Sequence, residues 1–101
     1  MAARRIEITY SDSGGGWVAH ATVTAPTRTS HVVRVSKAEL ERYGGGDVHD
    51  LLRRSFEFLL DRESNTSILR EFDLGTIERY FPDYPAAMKR AREKPDRKAA
   101  P

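Results

Sequence analysis

The chain contains no cysteine. Disulfides, thiolate metal centres and a cysteine nucleophile are therefore excluded. The same absence fits a reducing compartment, and a cytoplasmic location is the expectation. No apolar run approaches the ~18 residues that a membrane-spanning helix needs, so no membrane partner is expected. The opening MAARRIEITY lacks the apolar core of a secretory signal. Histidine is scarce, and His20, His31 and His49 fall at no helix or strand spacing suited to one metal ion. The glycine-rich SDSGGGW joins two expected strands and is not followed by Gly-Lys-Ser/Thr, so it is no phosphate loop. Neither a cofactor nor a catalytic residue is expected.

What remains is a chain of 101 residues, 39% hydrophobic and 32% charged. That is one domain, able to bury a single core with little stability to spare. The formal charge of +2 is unevenly placed. Of 17 basic and 15 acidic residues, six and two lie in residues 89–98, KRAREKPDRK. The body is near −2 and the end near +4. A folded nucleic-acid surface usually carries its own positive charge, and this body does not.

Residues Arg4–Tyr10 alternate, with Ile6, Ile8 and Tyr10 on one face and Arg5, Glu7 and Thr9 on the other. Period-two alternation marks a half-buried strand. Ser11–Gly16 reads as a turn and Trp17–Val23 as the return strand. Thr24–Ser30 reads as a loop, and His31–Ser36 as a third strand rich in β-branched valine. Pairing Tyr10 with Trp17 and Val23 with His31 puts Ala19 and Ala21 in the central strand. They leave a shallow trough flanked by Ile and Val. The opposite, polar face then aligns Glu7, His20 and Arg34 across the three strands.

Ser36 and Glu39 form a capping box for a short helix that stops at Gly44-Gly45-Gly46. Those glycines precede a helix N-terminus, but Asp47 and Asp50 put negative charge there and argue against an anion. The organising segment is Asp47–Glu63, DVHDLLRRSFEFLLDRE, with Asp47 as its cap. Val48, Leu51, Leu52, Phe56, Phe58, Leu59 and Leu60 cover more than half its circumference. Ser55, in mid-arc, suits close approach to the alanine trough. Asp50/Arg54 and Arg53/Glu57 are spaced for surface ion pairs. Asp73 reads as the cap of a helix from Leu74 to about Tyr80, ended by Pro82 and Pro85. Asp61, Glu63, Glu71 and Asp73 crowd one stretch, and helix-end roles account for them without a cation. From about Ala87 the composition turns polar.

The expected fold is α+β: a three-stranded antiparallel meander packed on one main helix, with short helices before and after it. Residues 1–86 form the domain and 87–101 a basic, disordered tail. The stretch Ser55–Tyr84 carries FEFLL-x-RE, SIL, FDL and YFP-x-Y. In these motifs it resembles a family of small uncharacterised bacterial proteins, a resemblance that implies no activity and no catalytic residues. The strand–strand–strand–helix order is also similar to small antitoxin-like and double-stranded-RNA-binding-like domains, and fold alone does not give function.

No nucleophile motif, metal spacing or cofactor loop points to an enzyme. The helix arc is wider than one sheet face needs, which leaves a candidate interface at Leu51, Phe58, Phe72, Tyr80, Phe81 and Tyr84. The outer strands contain no proline and offer edges for pairing. The expectation is a non-enzymatic protein-interaction domain that self-associates as a homodimer. The alternative is an antitoxin-like or RNA-associated regulator, with weak nucleic-acid contact through Lys89, Arg90, Arg92 and Lys94. The candidate contact on the open sheet face is Glu7, His20 and Arg34.

Overall fold

Alternating residues build the sheet first. In the computed structural model, residues 5–24 and 27–93 are described, the last three as backbone alone. Strands β1 (Arg5–Asp12), β2 (Gly16–Thr24) and β3 (Arg28–Ser36) form the antiparallel meander. Helices α1 (Lys37–Arg42) and α2 (Val48–Leu60) follow, and a 3-10 turn spans Asn65–Ser67. Strand β4 (Glu71–Asp73), α3 (Thr76–Tyr80) and α4 (Tyr84–Glu93) complete the order. The class is α+β, but the sheet is a four-stranded mixed one, with β4 parallel to β3.

The registers differ from those expected by two residues. Tyr10 lies opposite Ala19, and Ile8 opposite Ala21. His31 lies opposite Ala21, and Val33 opposite Ala19. The strands extend into the segments read as turns, because each further pair satisfies backbone donors and acceptors that a loop would leave open. Side chains alternate with period two, so a slip of two keeps every residue on its face. Ala19, Ala21, Val23, Val33 and Val35 are accordingly all buried. Gly16 is required where the hairpin meets β3: a Cβ there would collide with the Val35 carbonyl oxygen.

The capping signals are realised. Glu39 N donates to Ser36 Oγ and Ser36 N to Glu39 Oε1, both at 3.0 Å. Asp50 N donates to Asp47 Oδ2 at 3.0 Å. Between α1 and α2, Gly44, Gly45 and Gly46 all have positive φ, a run that side-chain-bearing residues rarely adopt. Asp50 also pairs with Arg54 at 3.0 Å. Arg53 forms no ion pair with Glu57; its Nη1 donates instead to the Ile6 carbonyl at 3.1 Å.

Three expectations about the C-terminal third are overturned. Asp73 is not a helix cap. It belongs to β4, and α3 begins at Thr76 after Gly75, with no side-chain cap. Pro85 does not terminate a helix; it is the second residue of α4, where a missing N–H costs nothing and the fixed φ is already helical. Residues 87–93 are helix, and Met88 is 2% exposed. The folded unit therefore extends beyond residue 86.

Ser55 faces α4, not the alanine trough. Its Oγ donates to Leu51 O at 2.7 Å and lies 2.5 Å from the Tyr84 hydroxyl. With one Ser55 proton committed to the Leu51 carbonyl, the Tyr84 hydroxyl is the donor of the second bond. Tyr84 is fully buried and packs its ring on Tyr43 at 4.7 Å and on Phe58 at 5.3 Å. The apolar arc of α2 is thus divided. Phe56 meets His31 and Phe72 near the sheet, while Phe58 meets Phe81 and Tyr84 beneath the C-terminal helices.

If Tyr84 is the pin that holds α4, its two contributions separate by substitution. Tyr84→Phe loses the hydroxyl bond while keeping the ring, and should cost about 1 kcal/mol of unfolding free energy. Tyr84→Ala should cost roughly 3–5 kcal/mol. Urea midpoints measure both, and a near-zero effect of Tyr84→Ala would remove α4 from the core.

Candidate functional site

The open sheet face does not assemble the expected polar row. Glu7 lies opposite Thr22, and His20 lies between Thr9 and Val32. Arg34 lies opposite Val18 and is held by β4. Its Nε donates to Asp73 Oδ1 at 2.9 Å and its Nη1 to Glu71 Oε2 at 2.6 Å. Glu71, then Asp73, raise its pKa further above the ordinary arginine value. The three residues are exposed but separate, because the two-residue register shift moved each to a different row. Arg34 instead fixes the parallel strand.

Strand β4 is the element that sequence reasoning missed. Three residues, with Glu71 and Asp73 outward and Phe72 inward, are too short for alternation to register. The signal that would have found it is charge: two carboxylates two residues apart can both meet an arginine on the neighbouring strand. The expected free edge of β3 is therefore partly covered. The other edge, β1, carries exposed Arg5 and Glu7, paired at 3.7 Å, and the Arg53 contact to the Ile6 carbonyl. Charges along an edge oppose strand addition.

The expected interface residues also part company. Leu51, Phe58, Phe72 and Tyr84 lie in the chain's own core, which corrects the reading that this side of α2 awaits a partner. Phe58 is sealed from solvent by Arg62, whose guanidinium carbon sits 3.6 Å from the ring centroid. Arg62 is held there by Asp83 at 2.9 Å. Phe81 is half-buried, and Tyr80 is 65% exposed.

Tyr80 and Phe81 border a groove of about 300 Å³. Leu59, Ile68, Phe72 and Ile77 form its apolar floor and sides, while Leu69 and Glu63 complete its lining. Leu69 is 46% exposed. This is an apolar concavity carrying two large uncovered side chains, the feature that most often marks a contact surface. It contains no catalytic constellation. Among the described residues, no three His, Asp or Glu side chains gather in a way that could hold a metal. Glu71 and Asp73 bind Arg34. Among these residues no helix is long and apolar enough to cross a membrane.

Behind the groove, α3 is tied to α1. Arg42 donates to both Glu78 oxygens, at 2.9 and 2.7 Å, and the Tyr43 hydroxyl donates to Glu78 Oε1 at 2.9 Å. Glu39 Oε2 accepts from Gly75 N at 3.0 Å. Of the expected tail contacts, Lys89 and Arg90 are exposed on α4, Arg92 lies in the same helix, and Lys94 falls outside the described residues. No protein-family model matches the chain, and no curated protein or solved structure matches it.

The Tyr43–Glu78–Arg42 cluster makes stability pH-dependent at both extremes. Arg42, then Tyr43, hold the Glu78 carboxyl below its ordinary value. Its stabilisation is therefore present above the unfolded carboxylate pKa of about 4 and is lost as pH falls through the lower folded value. Burial, then Glu78, push the Tyr43 phenol up to about 12. That contribution is complete below the unfolded tyrosine pKa of about 10 and is lost as pH rises through the folded value. Urea midpoints should fall at both ends. Tyr43→Phe should flatten the alkaline fall without abolishing it, since burial also raises Tyr84. An unchanged alkaline slope in Tyr43→Phe would mean the phenol carries no linkage.

Proposed function

We propose that the chain is a non-catalytic interaction domain that assembles with a second copy of itself through the groove beside Tyr80. The observation that carries this reading is that a protruding aromatic and a cavity share one patch. Tyr80 is 65% exposed at the rim of a cavity of about 300 Å³. A two-fold interface requires a surface that complements itself, with a projection and a recess on each subunit. Each Tyr80 then enters the other copy's groove, against Leu59, Ile68 and Ile77. Exposed Leu69 closes the apolar ring, and Glu63 supplies polar rim. Both sheet edges are poorer candidates, one partly paired with β4 and the other bordered by charge.

Sedimentation equilibrium of the full chain should show a reversible dimer. A central aromatic anchor is worth at least about 2 kcal/mol, so Tyr80→Glu should weaken dimerisation by about thirtyfold or more. Its circular dichroism should stay unchanged, because the side chain is exposed. A wild-type chain that remains monomeric at about 100 μM would overturn the proposal.

RNA-associated regulation is the second reading, favoured by the outward Lys89 and Arg90 on α4. It requires affinity for random RNA that falls steeply with salt, through counterion release. The double change Lys89→Glu, Arg90→Glu should then weaken binding. Binding unaffected by this change, or no RNA binding at low salt, would sink it.

A further inference from the structure

A second cavity, of about 470 Å³, lies where the start of β3 meets the segment after α2. Thr27, Arg28, Ser30, His31, Thr66 and Arg70 are among its lining residues. Among the described residues no carboxylate lines it. Arg28 and Arg70 are exposed and have no ion pair among the described residues. Elsewhere on this surface Arg34, Arg42, Arg54 and Arg62 each meet an acid. Two unpaired guanidinium groups facing one polar recess form a local excess of positive charge on a body whose formal net charge is near −2.

The recess is also built with fixed geometry. The Leu69 carbonyl can only accept, so His31 Nδ1 is the donor of their 2.8 Å bond. Its Nε2 is hydrogen-bonded to the Thr29 hydroxyl at 2.8 Å. Thr29 Oγ1 in turn accepts from Asn65 Nδ2 at 3.0 Å, and the same amide donates to the Thr27 carbonyl at 2.6 Å. Asn65 and His31 are both 2% exposed. This hydrogen-bonded chain holds the two walls of the recess at a set separation. It leaves the hydroxyls of Thr27 and Ser30 without a protein partner among the described residues, as donors beside the two arginines.

We propose that this recess binds the phosphate group of a small phosphorylated metabolite, with Arg28 and Arg70 as its clamps. Arginine presents a planar fork of donors that matches tetrahedral oxyanions, and hydroxyl donors complete such a shell. Two guanidinium groups suit a dianionic phosphate monoester over a singly charged carboxylate. The volume lies within the range of small-ligand pockets and leaves room for a nucleoside-sized group. This site is independent of the dimer surface. Ile68 borders both cavities, but neither arginine lines the groove beside Tyr80.

The test is amide chemical-shift titration of the full chain with inorganic phosphate, adenosine 5′-monophosphate, adenosine and acetate. Saturable shifts confined to residues 27–31 and 65–70 are expected for phosphate and the monophosphate, and none for adenosine or acetate. Loss of one charged hydrogen-bonded contact is worth about tenfold in affinity, so Arg28→Gln and Arg70→Gln should each weaken binding by at least about that factor. Their thermal midpoints should match wild type, since both side chains are exposed. Tyr80→Glu should bind the monophosphate as wild type does, whatever its oligomeric state. Small shifts spread over the whole chain would overturn the proposal, as would equal response to acetate or full affinity in the double Arg28→Gln, Arg70→Gln variant. Binding of an RNA oligonucleotide in the same region, with no response to the monophosphate, would overturn it in favour of a nucleic-acid surface.

Discussion

The fold depends on closing the C-terminal segment back onto α2, and the contact that does this is the buried pair of Ser55 and Tyr84. Helix α2 is too apolar to lie on one sheet face with the remainder in water. Its surplus must be covered, and Tyr84 is placed to cover it at the point where α4 begins. A tyrosine there contributes a large ring to Tyr43 and Phe58, and its hydroxyl satisfies a serine that would otherwise compete for helix carbonyls alone. The serine at mid-arc allows the approach, since a larger residue would hold the ring away. With Tyr84 seated, Met88 follows one turn later on the same face, and Arg54 reaches its carbonyl at 2.8 Å.

Between α2 and α4 the chain has to be led across the sheet, and polar side chains guide it. Asn65 and His31 bind backbone carbonyls at opposite ends of the crossing, and Arg34 then holds Glu71 and Asp73 in parallel pairing. A parallel strand of three residues has few ladder bonds of its own. Its stability comes from Phe72 beneath it, packed on Phe56, and from the arginine above it. These long-range contacts join residues some 36 to 39 positions apart, so they form only after the meander exists.

Much of the architecture was legible in the residues. Period-two alternation put the right side chains on the buried face, even with the pairing misjudged by two. The capping box at Ser36–Glu39 and the cap at Asp47 were readable because both are local, each settled within four residues. The unread features are those where a residue's local role and its tertiary partner disagree. Asp73 looks like a helix cap in sequence, but Arg34 stands 39 positions away and takes it for the sheet. Pro85 looks like a stop, but at the start of a helix the same ring is a start signal. The composition after Ala87 looks like a tail because charge dominates it, yet one methionine on the correct face suffices to dock a helix already begun by Tyr84. Of the candidate surface, Tyr80 and Phe81 were named from the sequence. The others were not separable from core, because apolar spacing is the same for a side chain that packs inward and one that waits outside.

The segment from Asn65 to Arg70 draws these threads together. Leu69 and Ile68 face the apolar groove, while Thr66, Ile68 and Arg70 border the basic recess, so one stretch of chain is the partition between two cavities of opposite character. Such a partition keeps both shapes only if it is fixed along its length. It is fixed at its start by Asn65, in its middle by the Leu69 carbonyl on His31, and at its end by the Arg70 carbonyl, which accepts from Val32 N at 2.7 Å. Three anchors in six residues are more than a connecting loop needs to reach β4. Their number makes sense where the loop is itself a wall: a loop free to shift by an ångström would fill one recess and open the other. Of the three buried polar side chains among the described residues, His31 and Asn65 therefore stand at this partition, where the surface must hold a shape, and Ser55 stands where α4 must be held on the core.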